Sequence, residues 1–503
     1  MKNYTFRKEW PLTDEQNETI EYMLQRNKAI CANQTGTGKT YTLSTAMCYI
    51  LLKYPDTHAI FLVPQKAVKA FKKELSQKLR IAFNVLTSGK QEMMNGARIT
   101  VITHTALKKY LPYIDELSKD HRLLLLVDEA HCFSSKDSKI YQLMASIRPY
   151  FSVCWFATAT PLKNNIEGLY WIFYMLDPNI LGSWDQFKYN YLVTERYPIT
   201  RMMGKGRNKY RKTIWQENIV GYKNIDRLRL ILDKYIIIKQ KQYNLDFVYH
   251  KTKLTESETK PYLEAGKGLL RETAKDSFAV RMHDLQQVVD NVNEEYKVTK
   301  KLSSKEKMFI QVIKDNIKNN HPSIVYCDYN SVINRLELLL NASKDFTGVK
   351  QILKVTGEVS LAEREKVESK IDKNTVILIT SAGTESINLQ KADSIIFYDI
   401  PFSILTFIQA IGRVTRIDST YNKQYIHILE VEGTIDSYKR CLVQINGGLI
   451  ESMFGKIETL PLEVGQIDRN ISRQLKQGLL WCFKQGRLLT EEELEHILKE
   501  GKK

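Results

Sequence analysis

The sequence predicts an α/β protein built as two parallel-sheet lobes in tandem, and three observations support this. Short apolar runs alternate with amphipathic helical stretches from residue 27 to 160. The alternation stops over 162–300, which reads mainly as helices and loops, and returns from residue 323 onward. The runs are apolar on both faces and separated by helices, the pattern of buried parallel strands.

In the first series the strand candidates are 28–31, 59–63, 99–103, 123–127 and 153–157; in the second they are 323–327, 352–355, 376–380, 394–398 and 425–431. The expected division is a first lobe over 1–240 with a helical protrusion near 165–235, a helical linker over 241–300, a second lobe over 301–448 and a helical C-terminal extension over 449–503. That extension holds an apolar cluster, Leu479-Leu480-Trp481-Cys482-Phe483, which packing on the second lobe or a partner protein would cover. No low-complexity tract or long Pro/Gly linker separates the parts.

Composition narrows the class. Hydrophobic residues make up 43% and charged residues 26% of 503, as in an ordinary globular protein with cores in two or three domains. No apolar run reaches the length of a bilayer, and residues 1–7 lack the apolar core of a signal peptide, so the expected location is the cytoplasm, with no membrane partner. Seven cysteines at 31, 48, 132, 154, 327, 441 and 482 include no CxxC pair. They point to core packing in a reducing compartment rather than to zinc or disulfides. The net charge of +17, from 74 basic and 57 acidic residues, favours polyanionic partners. Solubility or lysine-rich codon usage accounts for it equally well.

Three motifs carry chemistry. Asn33-Gln34-Thr35-Gly36-Thr37-Gly38-Lys39-Thr40 follows a strand and opens a helix, the context of a phosphate-binding loop. Gly36 and Gly38 let backbone N–H groups turn towards phosphates, Lys39 neutralises their charge, and the Thr40 hydroxyl is a ligand for Mg²⁺. Asn33 stands where the usual loop has its first glycine. The strand 123–127 then ends in Asp128-Glu129, which puts two carboxylates at the edge of the sheet where α/β proteins bind ligands. Asp128 is expected to hold hydrated Mg²⁺ and Glu129 to orient and deprotonate the attacking water. Gln409-Ala410-Ile411-Gly412-Arg413-Val414-Thr415-Arg416 places two arginines three apart on one helical face, where they could meet the charge developing on a γ-phosphate. ATP hydrolysis with Mg²⁺ is the reaction these residues suit.

Together the motifs resemble superfamily 2 helicases, and more narrowly the Snf2-like branch of DNA translocases. Residues 34–40 are similar to motif I, Asp128-Glu129-Ala130-His131 to the DEAH form of motif II, and Ala157-Thr158-Ala159-Thr160-Pro161 to motif III. Residues 409–416 match QxxGRxxR of motif VI, and 380–389 resemble motif V. The narrower likeness rests on Leu162-Lys163-Asn164-Asn165, Leu169, Leu176-Asp177-Pro178 and 187–191, on Pro64, Phe71 and Glu74, on Leu254-Thr255 with Tyr262, and on Thr356-Gly357-Glu358 with Arg364. It spans residues 12 to 440. Ser386 and Ala159 replace usual glycines, and Asn33-Gln34 stand where Snf2 relatives carry acids.

The resemblance implies two tandem RecA-like lobes with helical insertions that close on ATP and ratchet along DNA. It implies roles for Gln16 at the adenine, for Gly383 and Glu385 at the nucleotide, and for Gln409, Arg413 and Arg416 as groups brought from the second lobe. Lys66, Thr103, Ser381 and Asn388 become candidates for the nucleic-acid backbone. So do Arg201, Lys205, Arg207 and Arg211, in a segment (201–212) with six basic residues and no acid, for which a merely solvated loop is the equal alternative. The implied function is an ATP-dependent translocase, probing duplex DNA first and single-stranded or branched DNA second. A strand-separating DNA or RNA helicase, or an ATP-gated clamp with little turnover, are the alternatives. A monomer is expected, and the compact length resembles viral or bacterial members more than eukaryotic remodellers.

Overall fold

Strands form where the sequence is apolar on both faces, because helices cover both sides of each sheet. The structure is a computed structural model that describes residues 11–33, 36–158, 162, 165–203, 210–239, 244–270, 278–293, 302–360, 363–364, 366–381, 389–415, 421–454 and 469–500. Its first seven strands are β1 (Lys28–Cys31), β2 (Thr57–Val63), β3 (Asn84–Leu86), β4 (Gln91–Glu92), β5 (Ile99–Thr103), β6 (Arg122–Val127) and β7 (Phe151–Ala157). Two long strands follow, β8 (Leu192–Met203) and β9 (Tyr210–Tyr222), then a two-residue strand β10 (Ile236–Ile237). The remainder are β11 (Leu245–Thr252), β12 (Ser323–Tyr326), β13 (Gln351–Val355), β14 (Thr375–Ile379), β15 (Ser394–Phe397) and β16 (Gln424–Val431).

The first sheet runs β10-β1-β7-β6-β2-β5-β3-β4, and every pair is parallel except β3–β4. The second runs β11-β16-β15-β12-β14-β13 and is parallel throughout. β1 is separated from its successor β2 by β7 and β6, so the chain leaves the carboxyl end of β1 through the helix Lys39–Lys53 and opens a crevice there. Helix faces follow the sequence: Leu107, Tyr110 and Ile114 form the buried stripe of Leu107–Asp120. Entry points are fixed by capping side chains, as at Thr13 with Gln16 and Ser303 with Glu306. The helices Ile225–Leu232 and Ile435–Phe454 pack together, and one apolar cluster runs from the first sheet into the second.

Two expectations change. The protrusion read as helical over 165–235 keeps helices at Ile166–Leu176, Trp184–Tyr191 and Ile225–Leu232, but its centre is an antiparallel β8–β9 ribbon. Val193, Thr194, Tyr197, Thr213, Ile214, Trp215 and Ile219 favour extended backbone, and no apolar stripe of helical period competes. The linker read as helical over 241–300 begins with β11, whose eight residues all pair with β16. As an edge strand β11 is only half-buried, so it lacks the continuous apolar run that marked the others.

Candidate active site

The phosphate loop hangs from the end of β1. Gly36 and Gly38 both have left-handed backbones, with φ of 80° and 76°. A Cβ on Gly38 would also lie 2.7 Å from the Gln16 carboxamide nitrogen, so glycine is required there twice over. Lys39 is the first residue of its helix, followed by Thr40, and its ammonium donates to the Asn33 carbonyl at 2.9 Å.

Asn33 braces the loop from behind. Its amide donates to Thr19 Oγ1 at 3.0 Å, and its side-chain oxygen accepts from the backbone N–H of Lys239 at 2.8 Å. Neither Thr19 nor Lys239 was legible as part of the site, since Lys239 lies 206 residues along the chain. Gln16 is likewise turned inward: its oxygen accepts from Thr13 N and its nitrogen donates to Thr37 O at 3.0 Å. It fixes the loop's shape from the helix Asp14–Leu24.

Asp128 and Glu129 follow β6 at the same edge. Asp128 N donates to Leu62 O at 2.9 Å, and Glu129 N donates to Asp128 Oδ1 at 3.2 Å. Glu129 has a left-handed backbone, φ 57°, which is unusual for a side chain of its size. Its carboxylate lies 3.1 Å from His131 Nδ1. Burial, and next the Glu129 carboxylate, push the Asp128 carboxyl up to about 7, while Lys39 opposes them. Burial pulls the Lys39 ammonium below the ordinary lysine range; Glu129 is the largest opposing influence, and Arg413 adds to the lowering.

That last influence joins the lobes. Arg413 follows the second-lobe helix Ile404–Ile411, is buried, and donates through Nε to the carbonyl of Gln409 at 3.3 Å, yet its charge is felt at Lys39. Gln409 is buried on the same helix. The structure thus brings Gln16, Asn33, Gly36, Thr37, Gly38, Lys39, Thr40, Asp128 and Glu129 to one edge, and the charge of Arg413 in the other lobe adds to the field at Lys39. Gln34, Thr35, Ala159, Thr160, Pro161, Gly383, Glu385, Ser386 and Arg416 lie outside the described residues.

Comparison with known proteins agrees with this arrangement. Residues 9–163 match the family described as "Type III restriction enzyme, res subunit", and 304–418 match "Helicase conserved C-terminal domain". The chain is similar to the uncharacterized ATP-dependent helicase YqhH of Bacillus subtilis, 21% identical over 88% of this chain and 77% of that protein. It is similar to the CHD3-type chromatin-remodeling factor PICKLE of Arabidopsis thaliana, at 23% over 68% of this chain and 25% of that one. It also resembles the DNA repair and recombination protein RAD54-like of Drosophila ananassae, at 21% over 82% and 57%. These matches support a Snf2-like helicase of superfamily 2.

The two helicase-type family models and the ATP-dependent helicase relative support a nucleic-acid-dependent ATPase. The chain spans a quarter to just over half the length of those two eukaryotic relatives. A solved structure, the Sulfolobus solfataricus SWI2/SNF2 ATPase core in complex with dsDNA, is 18% identical and covers 99% of both chains with a TM-score of 0.39.

The helicase's candidate nucleic-acid contacts are less uniform. Thr103 ends β5 fully buried, so its hydroxyl is hidden from any bound strand; the exposed neighbour is Thr105, whose hydroxyl accepts from Ser88 Oγ at 3.3 Å. Ser381 is exposed beyond β14 and lines a cavity of about 580 Å³ with Asp328, Tyr329 and Phe402. Lys66 lies in the 3-10 turn Gln65–Ala67 and Arg201 in β8; only their backbones are described. Arg211 is exposed on β9, paired with Met202. Asn388, Lys205 and Arg207 lie outside the described residues. Of segment 201–212, read as a loop, residues 201–203 lie in β8 and 210–212 in β9, and 204–209 lie outside the described residues. Among the described residues no helix is long and apolar enough to cross a membrane.

Proposed function

We propose that this chain is an ATP-driven translocase that moves on duplex DNA and displaces or remodels what lies on it. The observation that carries the proposal is the composite pocket: a phosphate loop and two carboxylates in one lobe, with Arg413 of the other within electrostatic reach of Lys39. Such a pocket is complete only when the lobes close, so nucleotide state biases a hinge.

In this reading Lys39 and the N–H groups of 36–40 bind the phosphates, and Thr40 and Asp128 hold Mg²⁺. The metal fits the donor set: Asp128 is a carboxyl crowded by a second acid, which a divalent cation would return to its charged form. Among the described residues no group of three or more His, Cys, Asp or Glu side chains could hold an ion, so Mg²⁺ would rely on phosphate and water oxygens. Held there, Mg²⁺ would supply positive charge to the phosphate oxygens. Glu129 orients the water and takes its proton; Arg413, with Arg416 and Gln409, meets the charge that builds on the transferred group. Thr105, Ser381, Lys66 and Asn388 then hold the tracked backbone. The cytoplasm, which the relatives do not fix, suits seven cysteines that are all free thiols.

The deciding measurement is the ATPase rate with duplex DNA, single-stranded DNA and RNA at matched salt. Duplex DNA is expected to stimulate most, and Arg413→Ala should lower the stimulated rate by about a hundredfold or more with ATP affinity within threefold. Stimulation by RNA alone, or a normal rate in that variant, would remove the reading.

A further inference from the structure

The β8–β9 ribbon is long, exposed on both sides, and lies between the two stretches matched by the family comparisons. At roughly 3.3 Å per residue, the twelve residues of β8 reach about 40 Å. Tyr210 to Trp215 are exposed one after another, and successive strand residues face opposite sides, so neither face of this outer part is covered. A two-stranded ribbon with both faces in water has no core of its own to justify such length. Among its exposed residues are Tyr197, Tyr210 (56% exposed), Ile214 and Trp215 (66%).

Charge divides along the ribbon. The acids sit at its root and are paired: Glu217 lies 2.7 Å from Lys188, and Glu195 lies 3.2 Å from Arg473. Arg196, opposite Glu217 and 3.7 Å from it, belongs to this root; beyond it the described strand residues that carry charge are all basic, Arg201, Arg211 and Lys212. The root is also gripped from both lobes. Leu192 and Tyr191 are buried in the first, while the helix Arg469–Gln485, which shares an apolar cluster with the second, packs on β9 and supplies Arg473. Movement of one lobe against the other therefore acts on the base of a stiff, 40 Å-scale lever.

Cations beside unpaired aromatic rings suit one partner chemistry. Phosphates meet the cations, but the rings gain a partner only where bases have left their stack, because paired bases hide their faces. We propose that the ribbon is a strand-parting arm that engages the branch point of forked DNA, with Trp215, Tyr210 and Tyr197 stacking on bases as they separate. This rests on the translocase reading above and adds strand separation to movement. Arg211 and Lys212 hold the phosphates next to the stacked bases, and each lobe closure drives the arm against the fork.

The test compares the full chain with Trp215→Ala/Tyr210→Ala on a forked duplex and, in parallel, on a plain duplex carrying a third strand that movement alone displaces. The arm predicts that fork separation falls by at least about tenfold. Third-strand displacement should persist, and melting temperature should stay unchanged because neither side chain is packed. A 2-aminopurine at the first fork base pair should change fluorescence on binding of the unaltered chain, without turnover, and not on binding of the variant. Normal fork separation by the variant would overturn the proposal, as it would if the ribbon served a protein partner. Equal loss of both displacements would make the ribbon part of the motor's grip and also overturn it. Third-strand displacement without fork separation by the unaltered chain would sink the arm and leave the translocase intact. No ATP-driven movement on duplex DNA would sink the translocase itself.

Discussion

The two lobes share a parallel-sheet scaffold but treat the acids at its carboxyl edge in opposite ways. In the first, Asp128 and Glu129 crowd together, and Lys39 only partly offsets them, so Asp128 is pushed up to about 7. In the second, Asp328 follows β12 and is clamped 2.6 Å from the buried ammonium of Lys439. Asp399, after β15, shares Lys305 with Asp290 and Asp436, at 3.2, 2.8 and 3.0 Å, all fully buried. Gln286 donates to the same three carboxylates. Burial, and next Asp399, push the Asp290 carboxyl well above the usual range, while Lys305 opposes them. A parallel sheet gathers acids at one edge, and each must find positive charge. The second lobe ties its acids directly to Lys305, Lys439 and Gln286, all at hydrogen-bond distance. In the first lobe Asp128 stays pushed up, and the proposed Mg²⁺ would supply the opposing charge.

The largest effect that would test this contrast is on catalysis. Glu129→Gln should cut ATP hydrolysis by roughly 10²–10⁴-fold while ATP still binds and the melting temperature holds. If the first-lobe acid were structural, like Asp399, that variant would melt early instead. The mirror change is Lys305→Met, which strands three buried carboxylates. It should cost about 3–5 kcal/mol of stability, read as a lower urea midpoint, with no direct effect on ATP chemistry in the folded fraction. An unaltered midpoint would mean that the second lobe's acids are no more bound than the first's.

Acid sensitivity sharpens the comparison at the smaller end. Burial lowers His58 of β2 and His427 of β16 each from 6.5 to about 4. Both are neutral when folded, so their contribution is whole above pH 6.5 and drains as the unfolded chain protonates, down to about pH 4. Each is worth up to about 3 kcal/mol across that window. His58→Gln and His427→Gln should each flatten the fall in melting temperature between pH 6.5 and 4. The second should flatten it less cleanly, because His250 lies 2.9 Å from His427 and is itself lowered by burial. Equal slopes in all three proteins would show that these rings do not govern acid unfolding.

What could be read from the chain alone was whatever local pattern dictates. β1, β2, β5, β6 and β7 fall within two residues of the expected runs, because residues apolar on both faces have no other stable place. The turn through Gly36 and Gly38 and the acids after β6 were equally legible, since backbone freedom and strand ends are properties of neighbours in sequence. Tertiary structure decided the rest. The ribbon faces no core, so no apolar period announced it, and β11 became a strand only by lying beside β16. Thr103 was buried by its neighbours, leaving Thr105 at the surface. Asn33 turned out to be a brace because Lys239 returns to it, and the charge of Arg413 bears on Lys39 only because the second sheet is docked on the first. Contacts between residues hundreds of positions apart leave no local pattern, so only the folded chain could show them.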